Sequence, residues 1–126
     1  MLLHRVTLRL ARNPTEPDGD PRRGYVLMLP LDGDGKIDIK RYEASPSLCT
    51  VNRFAPGAED DAEGFLRRTA HGWVFVYDTP EEGPEEPIAG FEGHSLNLND
   101  YLSISHRGGP ALTYQVTEKV ELHTAG

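Results

Sequence analysis

Apolar and polar residues alternate along most of this chain, and Gly or Pro interrupts nearly every alternating run. Leu112, Tyr114, Val116, Val120 and Leu122 share one parity. Leu96, Leu98, Leu102 and Ile104 likewise keep one parity within their stretch, and so do Val6, Leu8 and Leu10 in theirs. Successive side chains of a strand point to opposite faces, so a period of two marks strands that bury one side. Short strands punctuated by turn residues predict a barrel or a sandwich. Closing a small antiparallel sheet removes its exposed edges. The expectation is a mainly β fold: a small antiparallel β-barrel of about seven or eight short strands.

Along the chain, the first strand falls near residues 3–11. The Asn13–Pro21 stretch, with three prolines and a glycine, cannot continue a ladder and predicts a flexible loop near 13–22. Residues 25–29 and 73–77 are apolar on both faces and read as central strands. Asp38 stands where a helix N-cap would stand, so a short helix near 39–45 competes with a strand through Ile37 and Ile39. Cys49–Phe54 reads as a strand. His71-Gly72 between two strand-like runs predicts a tight hairpin. Residues 78–87 hold five acids, three prolines and a glycine, and predict a solvated, mobile loop. Strands are then expected over 90–98, 101–105 and 112–122, and the last three residues should fray.

Length and composition set the class. A chain of 126 residues forms one domain, 1–126, that can bury a core without staples. One cysteine, Cys49, excludes an internal disulfide and suits a reducing compartment. Arg5 and Arg9 interrupt the apolar start, and no run approaches the roughly 18 residues of a membrane span. The expectation is a soluble, cytoplasmic protein, monomeric or weakly dimeric. The net charge of −7 is uneven: residues 1–56 hold nine Lys/Arg and seven Asp/Glu, and residues 57–126 hold four and thirteen. Acidity opposes phosphate-backbone binding, so nucleic acid is not an expected partner. A face combining Arg22, Arg23, Arg53, Arg67 and Arg68 with Phe54, Trp73, Tyr77, Phe91 and Tyr101 is outweighed by aromatics filling a core.

Candidate chemistry is incomplete wherever it arises. Asp32-Gly33-Asp34-Gly35-Lys36-Ile37-Asp38 has the spacing of a calcium loop's centre. In that register Pro30 and Arg41 occupy the positions that need carboxylates, and the shifted register puts Ile37 where Gly is required. A Gly-rich turn whose aspartates bind local backbone is the simpler reading. The five histidines lack zinc-motif spacing, and no cofactor is expected. His94, Asp100 and His106 lie near strand ends and form the candidate ligand or metal site. Cys49 beside Leu48 and Val51 suits a small buried hydrophobe better than a nucleophile.

Arg23-Gly24-Tyr25, Cys49 to Phe54, Trp73 to Asp78 and His94 through Ile104 stand in an order that resembles a family of small uncharacterised alphaproteobacterial proteins. The resemblance implies that Asp100–Ile104 and Tyr114–Val116 form one barrel hairpin, and it implies no activity. The functional expectation is a non-catalytic binding or protein-interaction module. A small-molecule or metal-binding barrel using His94, Asp100 and His106 is second. An enzyme with Cys49 as nucleophile is third.

Overall fold

A computed structural model describes residues 2–14, 16–56, 61–70, 72–78, 86–105 and 111–123. The chain forms β1 (Leu2–Leu10), β2 (Asp20–Leu29), a one-and-a-half-turn helix α1 (Ile39–Ala44) and a short 3-10 turn (Pro46–Leu48). It continues through β3 (Thr50–Phe54), β4 (Ala62–Thr69), β5 (Gly72–Tyr77), β6 (Glu86–Ala89), β7 (Tyr101–Ser105) and β8 (Ala111–His123). Each strand pairs antiparallel with the next, and β8 returns to β1, so the sheet is a closed eight-stranded barrel. Eight strands enclose a space that side chains just fill. Val6, Leu8, Leu27, Val51, Phe75 and Ile104 point into it and are buried. Arg5, Glu63 and Arg67 face outward and are exposed.

The two ends of the barrel differ. At one end the β2–β3 and β6–β7 connections fold under the strands and close it. Asp38 caps α1 by accepting a hydrogen bond from the Arg41 N–H at 3.2 Å. Buried Tyr42 then packs edge-on against Trp73, with ring centroids 4.8 Å apart, and Trp73 packs on Phe91 at 5.4 Å. The Tyr42 hydroxyl donates to the Leu66 carbonyl and accepts from the Arg68 N–H, at 3.3 and 3.2 Å. The two connections also meet each other: the Leu96 N–H donates to the Gly35 carbonyl at 2.8 Å. Gly35 has φ +81°, and a Cβ there would lie 2.4 Å from Asn97 Oδ1, so only glycine permits this contact. At the other end β1–β2, β3–β4, β5–β6 and β7–β8 are joined.

Several expected boundaries move. Residues 90–98 are a loop and not a strand. Leu96 is fully buried while Leu98, of the same parity, is 57% exposed, which no strand face allows. The missing strand is β6, which starts at the end of the expected loop 78–87 and runs past it to Ala89, with Glu86 and Ile88 turned inward; residues 79–85 lie outside the described residues. The expected loop 13–22 is shorter, because β2 begins at Asp20. Asn13 is buried and pins the loop to β8, donating to the Ala11 and Thr113 carbonyls and accepting from the Thr113 N–H at 2.9 Å. The short helix is present and the strand through Ile37 and Ile39 is not. The β4–β5 hairpin closes at Thr69 paired with Gly72, one residue earlier than His71-Gly72 implies; His71 itself is outside the described residues, as is the tail 124–126. A bulge explains Val120. Thr7 pairs with Glu118 but Leu8 with Val116, so Thr117 is an extra residue and reverses the alternation beyond it. The β7–β8 hairpin pairs Tyr101 with Gln115 and Leu102 with Tyr114.

Phe75 is fully buried at mid-barrel. Replacing it by Ala should lower the unfolding free energy by about 3–5 kcal/mol, as for other buried aromatics. Urea denaturation measures this, and a loss under about 1 kcal/mol would contradict an interior position.

Candidate functional site

The interior is not uniformly apolar. Near the end opposite α1 it holds a guanidinium and a carboxylate. Val51 and Arg53 share the inward face of β3, and Glu86 and Ile88 share that of β6, so both charges sit in phase with apolar neighbours. Arg53 is 6% exposed and Glu86 is 0% exposed. Arg53 Nη1 donates to Glu86 Oε2 at 3.1 Å. The Tyr25 hydroxyl donates to Glu86 Oε1 at 3.3 Å, and the Tyr77 hydroxyl donates to the same oxygen. The Arg53 guanidinium also lies over the Tyr77 ring, 4.6 Å from its centroid. Tyr114 meets Tyr25 edge-on at 5.1 Å.

Burial sets the protonation of these groups. It raises the Tyr25 and Tyr77 hydroxyls far above the ordinary phenol range, and the Glu86 charge raises both further. Tyr114 is also raised, chiefly by burial. All three therefore remain protonated hydrogen-bond donors. Burial pulls Arg53 downward, but Glu86, Tyr77 and Tyr25 more than offset it and leave Arg53 raised.

Among the described residues this cluster borders a cavity of about 200 Å³ at the end of the barrel opposite α1. Tyr25, Arg53 and Tyr114 contribute its polar wall, and Leu10, Phe54 and Leu112 its apolar wall. Two local features shape it. Between Arg9 and Leu10 the β1–β2 register jumps from Gly24 to Asp20, so Pro21, Arg22 and Arg23 have no partner on β1. That bulge brings Arg23 to the cavity rim. A Cβ on Gly24 would lie 1.8 Å from the Leu8 carbonyl oxygen and 2.9 Å from the Phe54 ring, so glycine lets β1 and Phe54 close over β2. The loop pinned by Asn13 supplies Glu16 to the same lining.

Of the residues singled out from sequence, His94 and Asp100 lie elsewhere. They belong to the β6–β7 connection at the closed end. The His94 ring nitrogen Nε2 donates to the Tyr101 carbonyl. Asp100 accepts from the Ser95 hydroxyl at 2.6 Å and the Asn97 N–H at 2.9 Å, and these bonds hold its carboxyl below the usual range. Both are engaged in shaping their own loop. His106 is outside the described residues, and Ser105 before it ends β7 at the opposite end from Asp100. Among the described residues no three His, Cys, Asp or Glu side chains cluster as metal ligands. Asp32 Oδ1 accepts from the Asp34 and Lys36 N–H groups at 2.8 and 3.1 Å, which is turn chemistry. Cys49 is buried, and burial pushes its thiol up to about 11, away from the thiolate. The arginines and aromatics considered for nucleic acid do not share a face: Arg53, Trp73, Tyr77 and Phe91 are interior, and Arg68 pairs with Glu43 and Glu92.

Sequence reasoning missed Arg53 and Glu86 as a pair. Their parity with Val51 and Ile88 was the available signal. The proline- and acid-rich surroundings of Glu86 concealed it. The chain matches no protein-family model, and comparisons with curated proteins and with solved structures return no match.

One buried group at the closed end has a pH consequence. His4 is 5% exposed and its Nδ1 has no hydrogen-bond partner among the described residues, while Nε2 lies 3.8 Å from Glu121. Burial, then Lys119, lowers its pKa below the ordinary 6.5, and Glu121 opposes this only in part. A lowered folded value means the unfolded chain takes up the proton first. The contribution to stability is therefore intact above 6.5 and lost as pH falls through that value toward the folded pKa. Melting curves should show the protein losing more stability than its His4→Leu variant on acidification from about pH 7.5 to 5. Parallel pH profiles would refute this.

Proposed function

We propose that this protein is a non-catalytic binding barrel that holds a small molecule in the cavity lined by Tyr25, Arg53 and Tyr114. The observation that supports this reading is the Arg53–Glu86 pair beside that cavity. A buried ion pair contributes little to stability, because desolvation consumes most of the attraction. Replacing both partners with apolar residues is often neutral or stabilising by about 1–4 kcal/mol. The pair specifies register more than it adds net stability, and its place beside a cavity also supports a role in recognition. Apolar walls with a few convergent polar groups are the usual composition of a ligand pocket. The site moves from His94, Asp100 and His106 to the lining around Arg53, Tyr25 and Tyr114.

Two features bear on partners. Among the described residues no helix is long and apolar enough to cross a membrane. The outward positions of β1 and β4 carry Arg5, Arg9, Glu63 and Arg67, where lipid-facing strands carry apolar side chains.

The test uses amide chemical shifts of the labelled protein against a panel of ring-sized fragments, neutral and charged. Shifts should concentrate at Tyr25, Phe54, Leu112 and Tyr114 and disappear in Leu112→Trp, which fills the cavity. Arg53→Met/Glu86→Leu should melt at or above the parent temperature, whereas Arg53→Met alone should cost about 3–5 kcal/mol by stranding Glu86. No fragment shifting these amides, or a double variant much less stable than the parent, would defeat the proposal.

A further inference from the structure

Resting on that reading, we infer that the cavity lined by Tyr25, Arg53 and Tyr114 selects an uncharged, largely apolar molecule about the size of one substituted ring. Two observations carry the inference. The hydrogen-bond donors of the wall are already engaged within the protein, and the surface left for an occupant is chiefly apolar.

The donors come first. The Arg53 guanidinium donates to Glu86 and lies over the Tyr77 ring. The Tyr25 hydroxyl donates to Glu86, and the Tyr114 hydroxyl is hydrogen-bonded to that of Tyr25. Arg23 pairs with Asp20 at 3.4 Å. An ion that enters a partly desolvated space loses hydration and needs a partner there to offset the loss. A carboxylate would have to compete with Glu86 for Arg53 and with Asp20 for Arg23. Glu16 lines the same wall and opposes an anion, while the Arg53 guanidinium opposes a cation. Both signs of charge are therefore disfavoured, and a neutral molecule disturbs none of these pairings. Glu86 acts here as a positioning residue. It is fully buried, and by holding Arg53 and Tyr25 it withdraws from the cavity the donors that would otherwise attract an anion.

The contact surface points the same way. Arg53, Tyr25 and Tyr114 are nearly fully buried and present little of themselves to the cavity. Phe54, Ala55 and Leu112 are half-buried and line it together with Leu10. Covering such carbon is favourable in proportion to its area and calls for no charge on the occupant. At about 200 Å³ the cavity lies below the roughly 300–1,000 Å³ typical of drug-sized pockets. A cavity of about 150 Å³ accommodates benzene, so one ring with a short neutral substituent matches the space.

The experiment titrates the whole protein near neutral pH with benzyl alcohol, benzamide, benzoate and benzylammonium, which share a ring and differ in charge. Benzyl alcohol and benzamide should shift the amides of Tyr25, Phe54, Leu112 and Tyr114. They should bind about tenfold more tightly than either ion. Glu16→Gln, at an exposed position, should narrow the gap to benzoate and leave benzyl alcohol unchanged. Glu86→Gln leaves Arg53 without its carboxylate, and benzoate should raise the melting temperature of that variant more than benzyl alcohol does. Benzoate or benzylammonium binding the parent as tightly as benzyl alcohol, at the same amides, would preserve the binding barrel and overturn the selection of a neutral occupant. An unchanged preference for benzyl alcohol in Glu86→Gln would overturn the role given to Glu86. The parent titration decides the selection even if Glu86→Gln does not fold. If no compound shifts the cavity amides, the binding reading fails together with the inference.

Discussion

The Glu86 carboxylate is the group around which this barrel is arranged. A charge with no solvent exposure must be matched by donors within hydrogen-bond reach. Glu86 draws them from three other strands: Tyr25 on β2, Arg53 on β3 and Tyr77 on β5. One carboxylate on β6 thereby ties together four of the eight strands across the interior. The constraint matters most for β6 itself. It has four residues, and its ladder to β7 holds two pairs, Ile88–Ile104 and Ala89–Ser103. So short a ladder specifies register weakly. A slip of one residue would turn Glu86 outward and leave Arg53 inside without its carboxylate. Stranding a buried charge in this way costs about 3–5 kcal/mol, enough to exclude the slipped pairing.

Packing runs continuously from the closed end to this cluster. Tyr42 touches Trp73, and Trp73 and Phe75 share the inward face of β5. Phe75 packs on Tyr25 at 5.2 Å, and Tyr25 on Tyr114. Interiors at this density transmit a change in one side chain to its neighbours. The orientation of Tyr25, which faces both Glu86 and the cavity, is therefore set from below by Phe75 and from beside by Tyr114. The cavity wall is as well supported as the core, although it lies at the end of the barrel away from the plug.

How much of this was legible depended on whether a residue's neighbours in sequence were also its neighbours in space. Tyr101–Ser105 could be read because period two follows directly from backbone geometry, and Trp73–Tyr77 because a short run apolar on both faces fits a central strand. The N-cap at Asp38 was legible for the same local reason. The 90–98 stretch misled because Phe91 and Leu96 are apolar for a different purpose: they fill the underside of the barrel from a loop. Val120 and Leu122 misled because the extra residue at Thr117 resets parity, and no sequence signal marks a bulge without glycine. Glu86 was the hardest case. Its local composition is that of a solvated loop, and its burial depends on Arg53, thirty-three residues earlier. Such long-range pairing leaves no local trace in a single sequence. His94 and Asp100 could be recognised as polar residues near strand ends, but their bonding turned out to serve their own loop.

The two ends of the barrel meet the same physical requirement by different means. Both contain buried polar groups that must be satisfied. At the closed end the Tyr42 hydroxyl bridges a carbonyl and an N–H, and His4 is favoured in its neutral form. No buried ion pair is used there among the described residues. At the other end Asn13 serves in the same neutral manner for the β1–β2 loop. Closing a barrel end therefore does not require buried charge in this protein. Where charge nevertheless appears, beside the cavity, it sets a strong local field that uncharged side chains cannot reproduce in a low-dielectric interior. In the proposed binding barrel that field would act on a bound molecule, and the apolar walls beside it would limit its size. The stability forgone in burying Arg53 and Glu86 is thus concentrated where a bound molecule would experience it.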